Sequence, residues 1–384
     1  MFHGSLVPCA ERRIIKMEDI KFLNGNKYRL DGCYIELTSR CNLRCKHCYN
    51  DSGELKEEIS EQAFQNILNC YDRDIEPYIS FSGGEPLLHP QIWDFADMAI
   101  ESGVRNILMI SNATLITKEI AKKIKDRNIS MQISINSTKP ELHNAMCGEG
   151  SLQKTMIGLE NLREANVEKI LVRYTMTQIN KDDFVNTVES LADKGLFNVL
   201  LGAVIEIGRA KSNTEKLALT SEERAQIGES LENDSRLQKL KEKYLPKFQL
   251  PTLYTGGCPL ILPEKEKDWV EINPRIDSAG NVYLCQSFSD VIYSVGNIND
   301  QNLCEIIKSK KFENLINFLY TGTFYMKECT SCVWKGVCSR GCVADCIQRG
   351  GIQETDGDCS FRKIDYAKKI IELSKSKLND TTIS

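Results

Sequence analysis

Three cysteines near the start of the chain could hold a metal centre from a single loop. They lie in the segment Cys41-Asn-Leu-Arg-Cys45-Lys-His47-Cys48. A structural zinc ion takes four protein ligands, no fourth cysteine is close by, and His47 adjoins Cys48, which hinders joint binding of one tetrahedral ion. Three thiolates suit an iron–sulfur cluster that keeps one metal position open for a substrate or cofactor. The spacing therefore favours an iron–sulfur cluster and leaves zinc as an alternative.

A second group of cysteines lies toward the end of the chain, which has 16 in total. It contains a G-x4-C element and a C-x2-C-x5-C-x3-C run, with one cysteine before and one after them. A single zinc knuckle is an alternative for the first pair of the run, but the whole group exceeds the needs of one zinc ion. The members are Cys258, Cys285, Cys329, Cys332, Cys338, Cys342 and Cys359.

The bulk composition narrows the class of protein. The net charge of −4 argues against a nucleic-acid partner, which needs a basic face. The first ten residues lack the apolar core of a secretory signal, and the longest apolar run, 199–205, is too short to span a bilayer. We therefore predict a cytoplasmic protein without a membrane partner. Cysteines stay reduced there, so regularly spaced ones indicate metal ligands or catalytic groups.

Short apolar runs alternate with longer amphipathic stretches from residue 33 to about residue 201. This alternation predicts an α/β fold, a parallel sheet with right-handed crossovers. A full eight-unit barrel needs about 250 residues, more than this region has, so we predict a partial (β/α)6 TIM barrel. The predicted strands are 33–37, 78–81, 106–110, 130–135, 169–175 and 198–201, and the predicted helices are 60–71, 91–102, 117–127, 152–165, 182–194 and 221–233.

The texture of the sequence changes after Pro251, where glycine, cysteine and short irregular segments replace the strand and helix pattern. Before this point, residues 211–247 are rich in lysine and glutamate, which is typical of a solvated helical face and linker. We therefore predict an N-terminal extension (1–32), a core domain (33–245) and a small cysteine-rich domain (246–384).

The C-x3-C-x2-C segment at the end of the first predicted strand resembles the motif of the radical S-adenosylmethionine (SAM) superfamily. The resemblance implies that Cys41, Cys45 and Cys48 hold three irons of a [4Fe-4S] cluster. The fourth iron would bind the amine and carboxylate of SAM. One electron from the cluster would then split SAM into methionine and a 5′-deoxyadenosyl radical, which abstracts a hydrogen atom from the substrate.

Four further segments at strand ends resemble SAM-binding motifs of this family. Segment 82–86 is similar to the G-G-E-P motif, and 111–114 to T-N-G-T, with serine and alanine replacing threonine and glycine. Segment 134–137 is similar to S-x-D-G, with asparagine in place of aspartate, and 206–210 to a G-R-A ending. Alone, each is an ordinary turn or strand end. Together, they imply that SAM is bound by Gly83, Gly84, Glu85, Asn112, Ser134 and Asn136.

The second cysteine group resembles the SPASM domain, which carries two auxiliary [4Fe-4S] clusters. The family pattern assigns Cys329, Cys332, Cys338 and Cys359 to the distal cluster, and Cys258, Cys285 and Cys342 to the proximal one. No cysteine lies between Cys258 and Cys285 to complete the proximal set. Either that cluster keeps an open iron, which we favour, or Cys346 reaches it, since residues four apart share a helix face.

Five cysteines remain outside these sets, and buried packing is the expected role of each: Cys9, Cys33, Cys70, Cys147 and Cys304. Two of them could instead donate a hydrogen atom to a substrate radical, as peptide epimerases of the superfamily require. These two candidate catalytic residues are Cys147 and Cys304.

The resemblance implies a maturase that abstracts hydrogen from a ribosomally made precursor peptide and leads to a thioether or carbon–carbon crosslink, or to epimerisation. Its electron donor would be a flavodoxin or ferredoxin. Only about 32 residues precede the first predicted strand, too few for a winged-helix recognition domain, so either the leader peptide docks on the barrel or a separate protein delivers it. The alternatives are anaerobic sulfatase maturation, tetrapyrrole modification and, from a different class, a non-catalytic iron–sulfur electron carrier or redox sensor.

Overall fold

The computed structural model describes residues 27–53, 56–71, 76–213, 215–245, 247–248, 269–288, 290–321, 327–334, 338, 342, 346 and 359–380. Cys9 and Cys258 lie outside these ranges, so their predicted roles stay predictions. The helices within the described ranges include none that combines the length and the apolar character needed to cross a membrane.

Six parallel strands in sequential order form the main body of the sheet, which confirms the predicted partial barrel. Each neighbouring pair is joined through one or more helices, as right-handed crossovers require. A shorter strand, β1 (Lys27–Leu30), precedes them. The six are β2 (Gly32–Thr38), β3 (Tyr78–Gly83), β4 (Asn106–Ser111), β5 (Ser130–Ser134), β6 (Ile170–Met176) and β7 (Val199–Ala203).

Four described helices of this region begin at a residue whose side chain caps free backbone amides. The Ser60 hydroxyl accepts from the Ala63 amide, Thr117 caps the third helix, and Thr220 forms a capping box with Glu223. All six predicted helices are present, and three more accompany them. The helices are α1 (Glu61–Leu68), α2 (Ile92–Glu101), α3 (Lys118–Asp126), α4 (Pro140–Cys147), α5 (Ser151–Glu164), α6 (Phe184–Ala192), α7 (Arg209–Ser212), α8 (Ser221–Asn233) and α9 (Ser235–Tyr244).

Alternation along each strand divides the side chains between two faces of the sheet. On β2, Ile35 and Leu37 belong to the apolar core beneath the helices, whereas Tyr34 and Glu36 point to the opposite, inner face. The core includes the rings of Phe64 and Phe95, stacked 4.4 Å apart, and burial of each such side chain contributes roughly 1.5–3 kcal/mol. Polar side chains such as these on the inner face are available to form a binding or catalytic site.

Three described strands of the C-terminal region extend the main sheet, and a fourth forms a separate two-stranded sheet with β1. Strand β8 (Trp269–Ile272) pairs with β1, while β9 (Arg275–Ile276) pairs in parallel with β2. Strands β10 (Asn281–Tyr283) and β11 (Gly296–Asn297) follow in antiparallel order, so the described sheet has nine strands. The helices whose bounds the structure describes in this region are α10 (Leu303–Ile307), α11 (Lys310–Thr321), α12 (Lys327–Thr330) and α13 (Cys359–Asp380).

Candidate active site

The loop that carries Cys41, Cys45 and Cys48 follows β2, at the carboxyl edge of the parallel sheet. Arg209 anchors it: its backbone amide donates to the Cys48 carbonyl (2.9 Å), and its guanidinium donates to the carbonyls of Cys45 (3.1 Å) and Ser52 (2.7 Å). The preceding Gly208 has a φ of +55°, and a Cβ there would collide with the Cys48 and Tyr49 carbonyls. The G-R-A segment therefore fixes the shape of the cysteine loop.

The G-G-E-P segment packs against the start of the same loop. Gly83 has a φ of +124°, and Cβ atoms on Gly83 and Gly84 would overlap the carbonyl oxygens of Thr38 and Arg40. The amide of Gly84 donates to the Thr38 carbonyl (2.7 Å). Only glycine fits this close approach of two backbones, so these two positions are explained by local structure alone.

The Glu85 carboxylate ties the ends of β3 and β4 together. It is 1% exposed and accepts from the Ser111 hydroxyl (2.8 Å) and the Asn112 amide (2.9 Å). Burial raises the pKa of Glu85 to about 7, despite these hydrogen bonds. Its side chain thus links the G-G-E-P segment to the segment after β4, and its predicted contact with SAM stays a prediction.

The segment after β4 reaches the cysteine loop through Asn42. Asn42 Nδ2 donates to the Thr114 hydroxyl (2.7 Å), and Asn112 Nδ2 donates to the side-chain oxygen Oδ1 of Asn42 (3.0 Å). Between them, Ala113 takes a φ of +61°, a conformation that favours glycine. This alanine replaces the glycine of the family motif, and the left-handed turn is kept.

Asn136, at the end of β5, is fully buried and joins several parts of the site. Its side-chain oxygen, Oδ1, accepts from the Thr175 backbone amide (2.9 Å), and its own backbone amide donates to His143 Nδ1 (3.3 Å). Its Nδ2 lies 3.4 Å from both Cys147 Sγ and His47 Nε2. One hydrogen bond thus fixes the Asn136 side-chain oxygen, and half-buried Ser134 lies on the inner face of the same strand end; the predicted contacts of both residues with SAM stay predictions.

Helix α4, which the sequence analysis missed, brings Cys147 against the cysteine loop. The Lys46 amide donates to the Met146 carbonyl (2.8 Å), and ligand atoms of Cys45, His47 and Cys147 all lie within 4.8 Å of one another. A hydrogen bond from Cys45 lowers the pKa of the buried Cys147 thiol. The predicted hydrogen-atom donor Cys147 is thus placed beside a predicted cluster ligand.

The donor set fits an iron–sulfur cluster better than a single ion. Burial, the largest cause, raises the pKa of Cys41 to about 12, and the thiols of Cys45 and Cys48 lie near enough to Cys41 to raise it as well, so metal binding would have to displace the Cys41 proton. The Nδ1 atom of His47 is buried without a partner in the described structure. Burial also lowers the pKa of His47 to about 4, which keeps its ring neutral beside the site.

Cys304 does not reach this site. It forms a disulfide with Cys70, with 5.3 Å between their Cα atoms. Cys70 follows α1 and precedes β3, so the pair lies at the amino edge of the sheet, opposite the cysteine loop. This placement corrects two expectations: Cys304 is not a hydrogen-atom donor here, because its sulfur is bonded and remote, and the two residues are not isolated packing thiols.

The described cysteines of the C-terminal group lie along short turns and helix ends. Cys285 follows β10 and, with Cys342, packs against the main core. The Cys346 amide donates to the Cys342 carbonyl (3.1 Å), the bond of an α-helical turn, so these two residues share a face. The Cys332 amide donates to the Cys329 carbonyl (3.3 Å), and the Cys338 amide donates to the Trp334 carbonyl (2.8 Å). Cys359 begins α13. The assignment of these residues to two clusters stays a prediction.

A buried ion pair that the sequence analysis missed joins the C-terminal region to the cysteine loop. The Arg275 guanidinium on β9 donates to both Glu36 carboxylate oxygens (2.7 and 2.9 Å) and to the Asn50 side chain (3.1 Å). The Tyr49 hydroxyl donates to Glu36 (3.3 Å) and lies 2.6 Å from the Tyr34 hydroxyl. Tyr49 and Asn50 directly follow Cys48, so these hydrogen bonds fix the end of the cysteine loop against β2 and β9.

Comparison with known families matches two parts of the chain. The model of the radical SAM superfamily matches residues 35–191, and that of the SPASM iron–sulfur cluster-binding domain matches residues 270–333. The first match includes the three loop cysteines, and the second includes Cys285, Cys329 and Cys332 of the C-terminal group. The other four cysteines of that group lie outside the second match: Cys258, Cys338, Cys342 and Cys359. These domains bind [4Fe-4S] clusters, and SAM is bound in similar solved structures.

Similar proteins include several enzymes of different activity. Fe-coproporphyrin III synthase of Methanosarcina barkeri is 26% identical over 79% of this chain and 80% of its own length. Mycofactocin maturase MftC of Mycolicibacterium smegmatis is 27% identical over 80% and 77%. Among solved structures, anSMEcpe with bound AdoMet has a TM-score of 0.66 at 18% identity, covering 90% of this chain and 99% of its own.

SuiB of Streptococcus suis, bound to its precursor peptide SuiA, has a TM-score of 0.67 at 15% identity and covers 88% of this chain and 77% of its own. At such identities the two structural matches establish the shared fold. The two domain matches, by contrast, identify the chain as a SAM-dependent enzyme that carries a radical SAM domain followed by a C-terminal SPASM domain.

Proposed function

We propose that the chain is a peptide maturase that abstracts a hydrogen atom from one residue of a ribosomally made precursor peptide. The observation that carries the proposal is the similarity to MftC over 80% of the chain, including both domains. SkfB of Bacillus subtilis, a sporulation killing factor maturation protein, adds 29% identity over 51% of the chain. A crosslink or an epimerised residue would be the product.

The shape of the partial barrel supports a large or extended substrate. The sheet is open beyond β7, where no further described strand pairs with it. On this strand, Leu200 alternates with the core residue Leu201 and faces the interior, where it is 43% exposed. An apolar side chain exposed inside an open barrel is a contact point for a substrate segment that enters from this side.

We assign the following roles to the residues of this site. Cys41, Cys45 and Cys48 would hold the cluster, and the backbone of Gly83 and Gly84 would receive the SAM amine. When bound, the reduced cluster and SAM supply a 5′-deoxyadenosyl radical. The chain's own contribution is to hold this loop rigid through Arg209 and Glu85, to offer polar contacts at Asn112, Ser134 and Asn136, and to keep water from the buried thiols.

Cys147 is proposed as the hydrogen-atom donor if the reaction is an epimerisation. Its S–H bond would break as a C–H bond forms on the substrate radical, and a cysteine thiyl radical would remain for later reduction. An external reductant of the flavodoxin or ferredoxin class would supply electrons. A separate leader-binding protein is a further proposed partner.

The test of the proposed function is direct. Anaerobically reconstituted enzyme is incubated with SAM, dithionite and peptides encoded by reading frames adjacent to its gene, and the products are examined by mass spectrometry. We expect 5′-deoxyadenosine together with a peptide that has lost two hydrogen atoms, or one of unchanged mass with altered chirality. Formation of 5′-deoxyadenosine with every such peptide left intact would contradict the proposal.

Tetrapyrrole modification is the second candidate, because two relatives from Methanosarcina barkeri point to it. Besides the Fe-coproporphyrin III synthase, an AdoMet-dependent heme synthase is 24% identical over 85% of this chain and 95% of its own length. Parallel incubation with iron coproporphyrin III separates the candidates: a change in porphyrin mass and absorbance, with peptides unmodified, would favour this function.

A further inference from the structure

Arg173 lies inside the partial barrel, in the middle of β6. Its neighbours along the strand, Val172 and Tyr174, belong to the apolar layers beneath the helices, so Arg173 points to the inner face. It pairs in register with Ser134 of β5 and Leu200 of β7, both of which also face inward. The side chain is half-buried, and the space beside it is the interior of the barrel.

The Arg173 guanidinium makes no hydrogen bond or ion pair with any residue that the structure describes. Other arginines near the site differ: Arg275 is paired with Glu36, and Arg209 is held by carbonyls and by Asp51 (2.9 Å). Five donors on a planar group are thus left free in a partly desolvated space. Burial lowers the pKa of Arg173, although the group stays charged at neutral pH.

The strand beside Arg173 is shaped to admit this side chain. At Gly202 on β7, a Cβ atom would collide with the Arg173 guanidinium. Glu36, the inner-face carboxylate of β2, is already neutralised by Arg275, so it does not compete for Arg173. In the described interior, the positive charge of Arg173 therefore has no counter-ion, and the absence of a Cβ at Gly202 leaves space for its guanidinium.

We propose that Arg173 binds a carboxylate of the substrate inside the barrel. The inference rests on the proposed function and narrows its substrate class to one with a carboxylate close to the reacting atom. A partly buried guanidinium without a counter-ion is unfavourable, and a carboxylate offers it two parallel, charge-assisted hydrogen bonds. The carboxylate can come from the C-terminus of a peptide or from an aspartate or glutamate side chain.

The experiment measures binding rather than turnover. Reconstituted, unreduced enzyme saturated with SAM is titrated with three radiolabelled probes in equilibrium dialysis: N-acetylglycine, N-acetylglutamate amide and the neutral N-acetylglycine amide. Variants R173Q and R173K are compared with R163Q, which removes a charge from the exposed surface of α5. The affinity for SAM is measured separately for each variant.

We expect the wild-type enzyme and R163Q to bind at least one anionic probe in preference to the neutral amide. R173Q should weaken that binding roughly 10- to 100-fold, as loss of a charge-assisted hydrogen bond predicts, and R173K should restore part of it. The preferred probe identifies a terminal or a side-chain carboxylate. Affinity for SAM should stay unchanged.

Two results would overturn the inference. In one, anionic and neutral probes bind the wild-type enzyme equally or not at all. In the other, R173Q weakens SAM binding by the same factor as probe binding, which would assign Arg173 to the carboxylate of SAM. Neither result depends on peptide modification, so failure of this inference and failure of the proposed function are distinguished.

Discussion

Replacement of Arg275 by methionine would remove the buried ion pair that joins the C-terminal domain to β2. Arg275 and Glu36 are each 4% exposed, and the guanidinium makes two hydrogen bonds to the carboxylate, one to the Asn50 side chain and one to the Phe288 carbonyl. Loss of one partner leaves the other charge buried and uncompensated, which costs about 3–5 kcal/mol. We therefore expect R275M to lower the free energy of unfolding by about that amount.

The assay is urea unfolding of reconstituted enzyme under anaerobic conditions, followed by circular dichroism. E36Q and the double variant complete a thermodynamic cycle, in which the double variant should be less destabilised than the sum of the single ones. The matched control is K310M, which breaks the exposed pair between Lys310 and Glu313, where the lysine side chain is 77% exposed. That change should alter stability by less than about 1 kcal/mol.

A destabilisation by R275M no larger than that of K310M would refute this reasoning. So would strict additivity of R275M and E36Q, because two residues that act as one pair cannot contribute independently. Either result would mean that backbone pairing between β9 and β2, rather than the ion pair, holds the C-terminal domain in place.

Three further predictions concern the site itself. Burial raises the pKa of Glu85 from 4.5 to about 7, so the folded state binds more protons than the unfolded state between these pH values. The free energy of unfolding should therefore fall by up to about 3 kcal/mol from pH 4.5 to pH 7. In urea titrations, E85Q should lose this pH dependence. G84A should abolish the change that SAM causes in the electron paramagnetic resonance spectrum of the cluster, because a Cβ would strike the Arg40 carbonyl, whereas G228A on α8 has open space and should leave it intact. C147A should stop epimerisation but not 5′-deoxyadenosine formation; an unchanged peptide product would remove Cys147 from the mechanism.

The six strands and six helices of the core could be predicted because their information is local. Each strand is a short apolar run, and helices such as α1 and α3 start at a capping residue, Ser60 or Thr117, followed by apolar residues at helical spacing. The short helix α4 was missed because its apolar positions are too few to show a period. Cys147 could therefore be proposed as a donor, but its approach to Cys45 could not.

Contacts between distant parts of the chain were beyond the reach of sequence patterns. Arg275 and Glu36 are 239 positions apart, and Cys70 and Cys304 are 234 apart. Neither partner of these pairs stands in a motif that specifies the other. Likewise, Arg173 reads as an ordinary polar residue of an alternating strand until the structure places it inward beside Gly202 without a counter-ion.

Because β9 pairs with β2 along the flank of the barrel, the cysteine-rich domain is the lateral neighbour of the strand that leads into the SAM loop. Cutting the chain between the two domains would strip that flank and leave a row of unsatisfied amide and carbonyl groups, ready to associate with other molecules. The catalytic domain is therefore poorly suited to preparation as an independent fragment. Exchange of C-terminal domains between relatives would succeed only where the incoming β9 pairs with β2 in the same register as here.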